Sequence, residues 1–384
     1  MLITTSSGLA EFCAKLRNAP YIAVDTEFMR EKTYYARLCL VQVAYGDLAA
    51  AIDPLVDDID MSPLRELLCD PSIVKVLHAG TQDLEIFHTR IGQVPGPIFD
   101  TQIAASVCGL GEQPGYAKLV GSLLNVQIDK ASQATDWSLR PLSPRQLEYA
   151  LGDVTHLCVV YEKILRKLEE SNRSAWVRQD MDALVDPSRY GVEPAEAWRR
   201  IKVRRPSRKT LAVLRELAAW REEKAMNLDI PRNWVARDEV LIEVAQTFPS
   251  NVDALCRVRG LKPNVARGRD GKAMLSTMKR ALASPEETWP EIPKKRKQIS
   301  GHESLVALLS ALLKRRCEAH GVAPSMVAKR ADLDRIATES DPDVPALRGW
   351  RREVFGADAL ELCAGRLALT GRNGDVVDVA LPER

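Results

Sequence analysis

The chain has 384 residues, 46% of them hydrophobic, with 54 Lys and Arg against 52 Asp and Glu, the composition of an ordinary globular protein. That length is more than one core usually serves, so two or three domains are expected. No apolar run reaches bilayer-spanning length, the N-terminus lacks the charged-then-apolar plan of a signal peptide, and the eight cysteines include no CxxC pair. These features argue against a membrane protein, a secreted disulfide scaffold and a zinc module, and for a cytoplasmic protein with reduced thiols.

Residues 1–20 read as a Thr/Ser-rich start and a short amphipathic helix from Leu9 to Asn18. Tyr21-Ile22-Ala23-Val24 has the apolar, partly β-branched content of a buried strand, and Asp25-Thr26-Glu27-Phe28 follows it. Strand side chains alternate, so Asp25 and Glu27 project from one side and Thr26 from the other. Ala36 to Ala44 and Leu48 to Ile52 are two further strands around a Tyr45-Gly46-Asp47 turn, which suggests an antiparallel meander. Ser62-Pro63 opens a helix to Leu68 with Ser at the N-cap. Ser72 to Leu77 is a fourth strand, and Thr81 to Ile91 a helix stopped by Gly92. Helices follow over Thr101–Val107, Tyr116–Leu123 and Ser143–Glu170, the last headed by a second Ser-Pro pair. This order predicts a mixed sheet with flanking helices.

Residues 186–210 form a basic connector, and a helical unit extends from it to about Leu282. A Pro- and Lys-rich linker covers Ser284 to Gly301, a second helical unit covers 302–370, and the polar tail after Thr370 is expected to be partly loose. Charge is divided along the chain: residues 1–190 carry 18 basic and 25 acidic side chains, residues 191–384 carry 36 and 27. An acidic half joined to a basic half suits a polyanionic substrate.

Two carboxylates leaving a strand side by side repel each other, and a divalent cation between them removes the repulsion. Asp83 lies six residues after the fourth strand, at the start of a helix. Tyr149 and Asp153, at i and i+4, share one face of the long helix. Singly, each has a structural explanation: an acidic strand end in water, an acid complementing a helix dipole, a solvated pair. Jointly they can converge at one edge of a mixed sheet.

The ordered segments Asp25-Thr26-Glu27-Phe28, His78-Ala79-Gly80-Thr81-Gln82-Asp83, Asp136-Trp137-Ser138-Leu139-Arg140 and Tyr149-Ala150-Leu151-Gly152-Asp153 resemble the DEDDy group of 3′–5′ exonucleases. Within that group they resemble the bacterial ribonuclease D family. Leu214–Ala225, Ile230-Pro231-Arg232 and Leu255–Leu261 resemble an HRDC domain, and residues 302–370, with Leu347-Arg348-Gly349-Trp350-Arg351, resemble a second and more divergent copy. The resemblance implies an α/β, ribonuclease H-like exonuclease domain over 1–190, a mixed sheet with flanking helices. Two all-α HRDC domains at 207–284 and 302–370 would follow it.

Hydrolysis of a phosphodiester needs a nucleophile near neutral pH and relief of charge on the entering and leaving oxygens. Two hard cations, Mg²⁺ or Mn²⁺, about 3.5–4 Å apart, meet both needs. The resemblance implies Asp25, Glu27, Asp83 and Asp153 as their ligands, with Asp25 bridging, Glu27 and Asp153 on the nucleophile side, and Asp83 at the other ion. Tyr149, an ordinary phenol with a pKa near ~10, is the expected donor that positions the attacking water. Phe28 can stack on a terminal base or sit in the core, and His78 can touch the last nucleotide or be structural. Lys130 and Arg140 can pair with phosphates or with Asp129 and Asp136. The expected activity is release of nucleoside 5′-monophosphates from the 3′ ends of transfer RNA precursors and other stable RNAs by a cytoplasmic monomer. A DNA proofreading exonuclease and a catalytically silent RNA-binding protein are the rival readings.

Overall fold

The computed structural model describes residues 1–129, 135–292 and 301–381. Lys130 and the Lys294-Lys295-Arg296-Lys297 run of the linker lie outside them. The chain forms two compact units. One holds Met1–Glu27, Cys39–Asp186 and Lys297–Arg384; the other holds Phe28–Leu38 and Pro187–Arg296.

The first unit is built on a six-stranded sheet in the order β1-β4-β3-β2-β5-β6. Its strands are β1 (Leu2–Ile3), β2 (Tyr21–Met29), β3 (Arg37–Tyr45), β4 (Leu48–Ile52), β5 (Val74–Leu77) and β6 (Ile98–Asp100). The pairs β1/β4, β2/β5 and β5/β6 are parallel and β3/β4 is antiparallel, so the expected mixed sheet is present. The short β1 and β6 carry too little pattern to be read from the sequence.

Helices α1 (Ser6–Leu16), α2 (Ser62–Cys69), α3 (Thr81–Ile91), α4 (Thr101–Val107), α5 (Tyr116–Leu124), α6 (Pro144–Glu170) and α7 (Ser174–Leu184) complete this part. The 27-residue α6 starts at a full capping box, in which Ser143 Oγ accepts from the Gln146 amide at 3.2 Å and Gln146 Oε1 from the Ser143 amide at 3.0 Å. Its stripe Val154, Leu157, Val160, Tyr161, Ile164 and Leu168 packs in one core with Tyr21, Ala23 and Val76 of the sheet. The start of α2 differs from expectation. Met61 occupies the cap without a side-chain bond, and Ser62 is already helical, its amide bonded to Asp60 Oδ1 at 2.9 Å.

In the same unit, helices α14 (Glu303–His320), α15 (Pro324–Val327), α16 (Arg330–Thr338), α17 (Gly349–Arg351) and α18 (Ala357–Cys363) enclose a separate core around Leu309, Leu312 and Phe355. Trp350 stacks on Trp176 of α7 at 4.6 Å, and Arg351 pairs with Asp180 at 2.7 Å. The tail expected to be loose is a hairpin, β7 (Leu367–Arg372) with β8 (Asp375–Ala380). Asn373-Gly374, both at positive φ, supplies a two-residue turn suited to strand twist, and Arg315 and Arg316 hold Asp378.

The second unit is all-α outside its Phe28–Leu38 segment: α8 (Arg208–Leu228), α9 (Arg232–Val235), α10 (Asp238–Thr247), α11 (Val252–Leu255), α12 (Pro263–Arg267) and α13 (Arg269–Ala283). Leu214, Leu217, Leu241, Val244, Leu255, Met274 and Met278 form its core.

Candidate active site

β2 and α6 bring Asp25, Glu27 and Asp153 together: one carboxylate oxygen from each lies within 4.8 Å of the other two. Asp153 is on the core-facing stripe of α6 at 7% exposure, a position where the helix pattern otherwise asks for an apolar side chain. Asp83 is 8% exposed on the first turn of α3 and lies outside that trio, yet its charge acts on both Asp25 and Glu27.

Two local devices present Asp83. At Ala79 the backbone turns through φ 56°, and the next residue must be glycine because a Cβ there would meet Leu77 Cβ at 2.7 Å. Buried Asp100, at the end of β6, then accepts from the amides of Ala79 at 3.1 Å, Gly80 at 2.9 Å and Gln102 at 2.8 Å, fixing the entries to α3 and α4. Thr26, sent by strand alternation to the face opposite the acids, donates its hydroxyl to the Asp83 carboxylate. Neither Asp100 nor Thr26 stood out in the sequence. The signal for Asp100 was an Asp directly before a helix start, the N-cap pattern.

Burial and mutual repulsion hold the acids toward their protonated forms. Burial, then Asp83, Asp153 and Glu27, push Asp25 well above the carboxylate range. Burial, then Asp153 and Asp83, raise Glu27 to about 9. Burial raises Asp83 to about 6 against the Thr26 hydrogen bond, and raises Asp153 to about 7 against a hydrogen bond from Tyr149. Among the described residues no lysine or arginine is among the groups acting most strongly on the four. Buried carboxylates without a protein counter-charge are the donor set a hard divalent cation needs, so the residues fit such an ion.

Burial and the charges of Asp153, Glu27 and Asp25 raise the Tyr149 phenol, which stays protonated and a donor. Its ring lies 6.2 Å from the buried Trp137 ring. Arg140 pairs with Asp53 and not with Asp136. It makes a two-pronged ion pair with buried Asp53 (2.5 and 2.7 Å) and donates to the carbonyls of Trp137 at 2.8 Å and Cys39 at 2.7 Å. Arg140 therefore clamps the Trp137 segment onto the sheet. Asp136 caps Ser138, and Asp129 pairs with Arg145.

His78 Nδ1 lies 3.0 Å from Thr101 Oγ1, and burial lowers its pKa, so the ring is neutral. Phe28 is half-buried near the end of β2. A groove of about 540 Å³ runs beside the acids, lined by Gln127, Arg145, Glu148, Tyr149, Asp153 and His156. In the basic run, Arg199 folds back on Glu196, Arg208 donates to the carbonyls of Glu286 and Trp289, and Lys209 covers Phe248; Lys202, Arg204 and Arg205 are exposed.

Residues 1–169 match a 3′–5′ exonuclease family model and residues 210–278 an HRDC domain model. A protein of Granulibacter bethesdensis named ribonuclease D is 47% identical over 96% of this chain and 93% of its own length. One of Acidiphilium cryptum with that name is 44% identical over 100% and 97%. The chain belongs to the ribonuclease D family. The crystal structure of Escherichia coli RNase D aligns with a TM-score of 0.81 at 35% identity, covering 95% of this chain and 98% of that one. This protein is accordingly a 3′–5′ exoribonuclease with an exonuclease domain and an HRDC domain, and its acidic cluster fits divalent-metal use. Among the described residues no helix is long and apolar enough to cross a membrane.

Proposed function

We propose that this exoribonuclease trims the 3′ ends of structured RNAs, transfer RNA precursors among them, releasing nucleoside 5′-monophosphates with the aid of two divalent cations, Mg²⁺ or Mn²⁺. Asp25, Glu27 and Asp153 would hold one ion, and Asp25 with Asp83 the other. When bound, such ions supply the positive charge that eases ionisation of the attacking water and steadies the leaving 3′ oxygen. The chain's own contribution is orientation. Thr26 holds the Asp83 carboxylate and Tyr149 the Asp153 carboxylate. The Tyr149 hydroxyl, kept protonated by its acidic surroundings, is suited to orient the water that attacks the last phosphodiester. Phe28 would stack on the terminal base and His78 would meet the last nucleotide as a neutral donor or acceptor.

The observation that carries this reading is the gathering of Asp25, Glu27 and Asp153 within 4.8 Å. The substrate class is supported by the E. coli relative, described as an exoribonuclease involved in structured RNA processing. Residues 207–284 would be the first HRDC domain and 302–370 a second, divergent one. A cytoplasmic compartment agrees with the free cysteines, and a monomer is the proposed state.

The test is hydrolysis of matched RNA and DNA oligomers by the full chain with Mg²⁺ or Mn²⁺, with products resolved by length. Stepwise loss of single 5′-monophosphates from RNA, faster than from DNA, is expected, and it should vanish in Asp25→Ala and Asp153→Ala while RNA binding largely persists. Normal turnover in either variant overturns the site assignment.

A further inference from the structure

The Phe28–Leu38 segment leaves the strand that carries Asp25 and Glu27 and becomes part of the second unit. It is fastened to the corner between α8 and α9. The amides of Tyr34 and Tyr35 both donate to Asp229 Oδ1 at 3.0 Å, and the Tyr34 hydroxyl donates to the fully buried Glu222 at 2.6 Å. Tyr34 also packs with Ala225 and Val235, with the Arg232 guanidinium 6.0 Å above its ring.

Against this ordered background one side chain is out of place. Trp234, on α9 between Arg232 and Arg237, is 62% exposed although its neighbour Val235 is buried. Leu228, at the end of α8, is 55% exposed on the other side of the Asp229-Ile230-Pro231 turn. Nothing in the core requires an indole there, and folding leaves it facing water.

The surroundings indicate the occupant. The second unit carries 27 Lys and Arg against 15 Asp and Glu, a net +12, while the chain as a whole is only +2. At the corner, Asp229 and Glu222 are spent on the Phe28–Leu38 segment and Asp238 on Arg221, 2.6 Å away. Arg237 and Lys32 are exposed, and the exposed acids nearest Trp234 in sequence are Asp229, which accepts from the Tyr34 and Tyr35 amides, and Glu239. A flat aromatic face beside free cations in a strongly positive unit is the arrangement that grips unpaired nucleotides, since every base has a face to stack. Two exposed apolar side chains are also too little for a protein partner, whose interface takes about 800 Å² from each side.

We propose that Trp234, at the α8–α9 corner with Arg237, is a stacking site for an unpaired base of the RNA substrate. The proposal rests on the exoribonuclease reading but adds a contact remote in sequence from the acid cluster. An HRDC domain reaching the RNA through a base face, as well as through phosphates, would favour substrates with single-stranded 3′ extensions over fully paired ends.

The experiment measures binding of the full chain, in EDTA to prevent turnover, to a labelled single-stranded RNA and to the same sequence in a blunt duplex across a salt series. Trp234→Ala is expected to weaken single-strand binding about tenfold and leave the duplex within about twofold. Trp234→Phe should recover most of the affinity, and Trp234→Leu, which keeps apolar bulk without a flat face, should not. Arg237→Ala should lower the log–log salt slope by about 0.7, whereas Trp234→Ala should not change it. Unchanged single-strand affinity in Trp234→Ala, an equal loss for duplex, or full recovery in Trp234→Leu overturns the stacking site. With any of these results, a wild-type chain that still degrades RNA loses only this inference; one that leaves RNA intact loses the functional reading as well.

Discussion

At the scale of single residues, Asp25, Glu27, Asp83 and Asp153 are carboxylates kept from ionising freely. Their folded pKa values lie above those of an unfolded chain: about 6 for Asp83, about 7 for Asp153 and about 9 for Glu27. The folded state thus binds more protons than the unfolded state from about pH 4 upward. Without metal, the contribution of these acids to stability is therefore greatest at low pH and is lost as pH climbs through those folded values. In EDTA the melting temperature should fall between pH 5 and pH 8. Millimolar Mg²⁺ or Mn²⁺ should restore several degrees at pH 8, and Asp25→Asn should flatten both effects. Melting that ignores pH and metal alike would count against the cluster as a cation site. Tyr149→Phe removes the hydrogen bond that lowers the Asp153 pKa. It should therefore cost about 10²-fold in kcat, with little change in KM, and move the acidic limb of the pH–rate profile to higher pH. The gathering of Asp25, Glu27 and Asp153 was legible because their motifs are contiguous and ordered. Thr26 was not, since it acts on Asp83, which only the tertiary fold brings near it, and of Asp100 only the local N-cap pattern was readable, not its bonds to the Ala79 and Gly80 amides.

At the scale of elements, legibility followed the strength of local signals. Helix α3 and helix α4 have the bounds expected from sequence, and α6 begins after the Ser143 cap, because caps, glycine stops and apolar stripes agree there. The hairpin β7–β8 was missed although Asn373-Gly374 is a strong turn signal, because only Leu367 and Leu369 alternate toward a core, and the valines of β8 (Asp-Val-Val-Asp-Val-Ala) do not alternate strictly. Arg140 shows the limit on the other side: its charge was visible, but its partner Asp53 lies 87 residues away. The Arg140 clamp predicts a particular defect. Arg140→Met leaves the buried Asp53 carboxylate unpaired and should cost about 3 kcal/mol of stability. It should also lower kcat through the Trp137 segment that packs toward Tyr149, a loss that Arg140→Lys repairs only in part because one ammonium cannot reproduce the fork. Equal kcat in all three proteins would show that the clamp serves folding alone.

At the scale of the whole molecule, charge is segregated by unit more sharply than by sequence half. The catalytic unit carries an excess of ten acids, the other unit the +12 balance, with the single Phe28–Leu38 excursion shared out to the basic side. An acidic cluster repels a phosphate backbone, so affinity for RNA must be supplied by positive surface elsewhere in the chain. Within the basic run, Arg199, Arg208 and Lys209 are held by their own unit, whereas Lys202, Arg204 and Arg205 are exposed. If these three neutralise backbone phosphates, each releases about 0.7 of a counterion from a single strand. The triple change Lys202→Ala, Arg204→Ala and Arg205→Ala should then reduce the slope of log KM against log salt by about two. It should raise KM at low salt far more than at high salt and leave kcat at saturating RNA near wild type. A KM increase that is the same at every salt concentration would mean that the run supports the fold of its unit and not the grip on RNA. A fall in kcat with an unchanged slope would mean that it acts on the bound substrate's placement. Only the salt-dependent result fits a division of labour in which one unit cuts and the other supplies the charge that holds the strand.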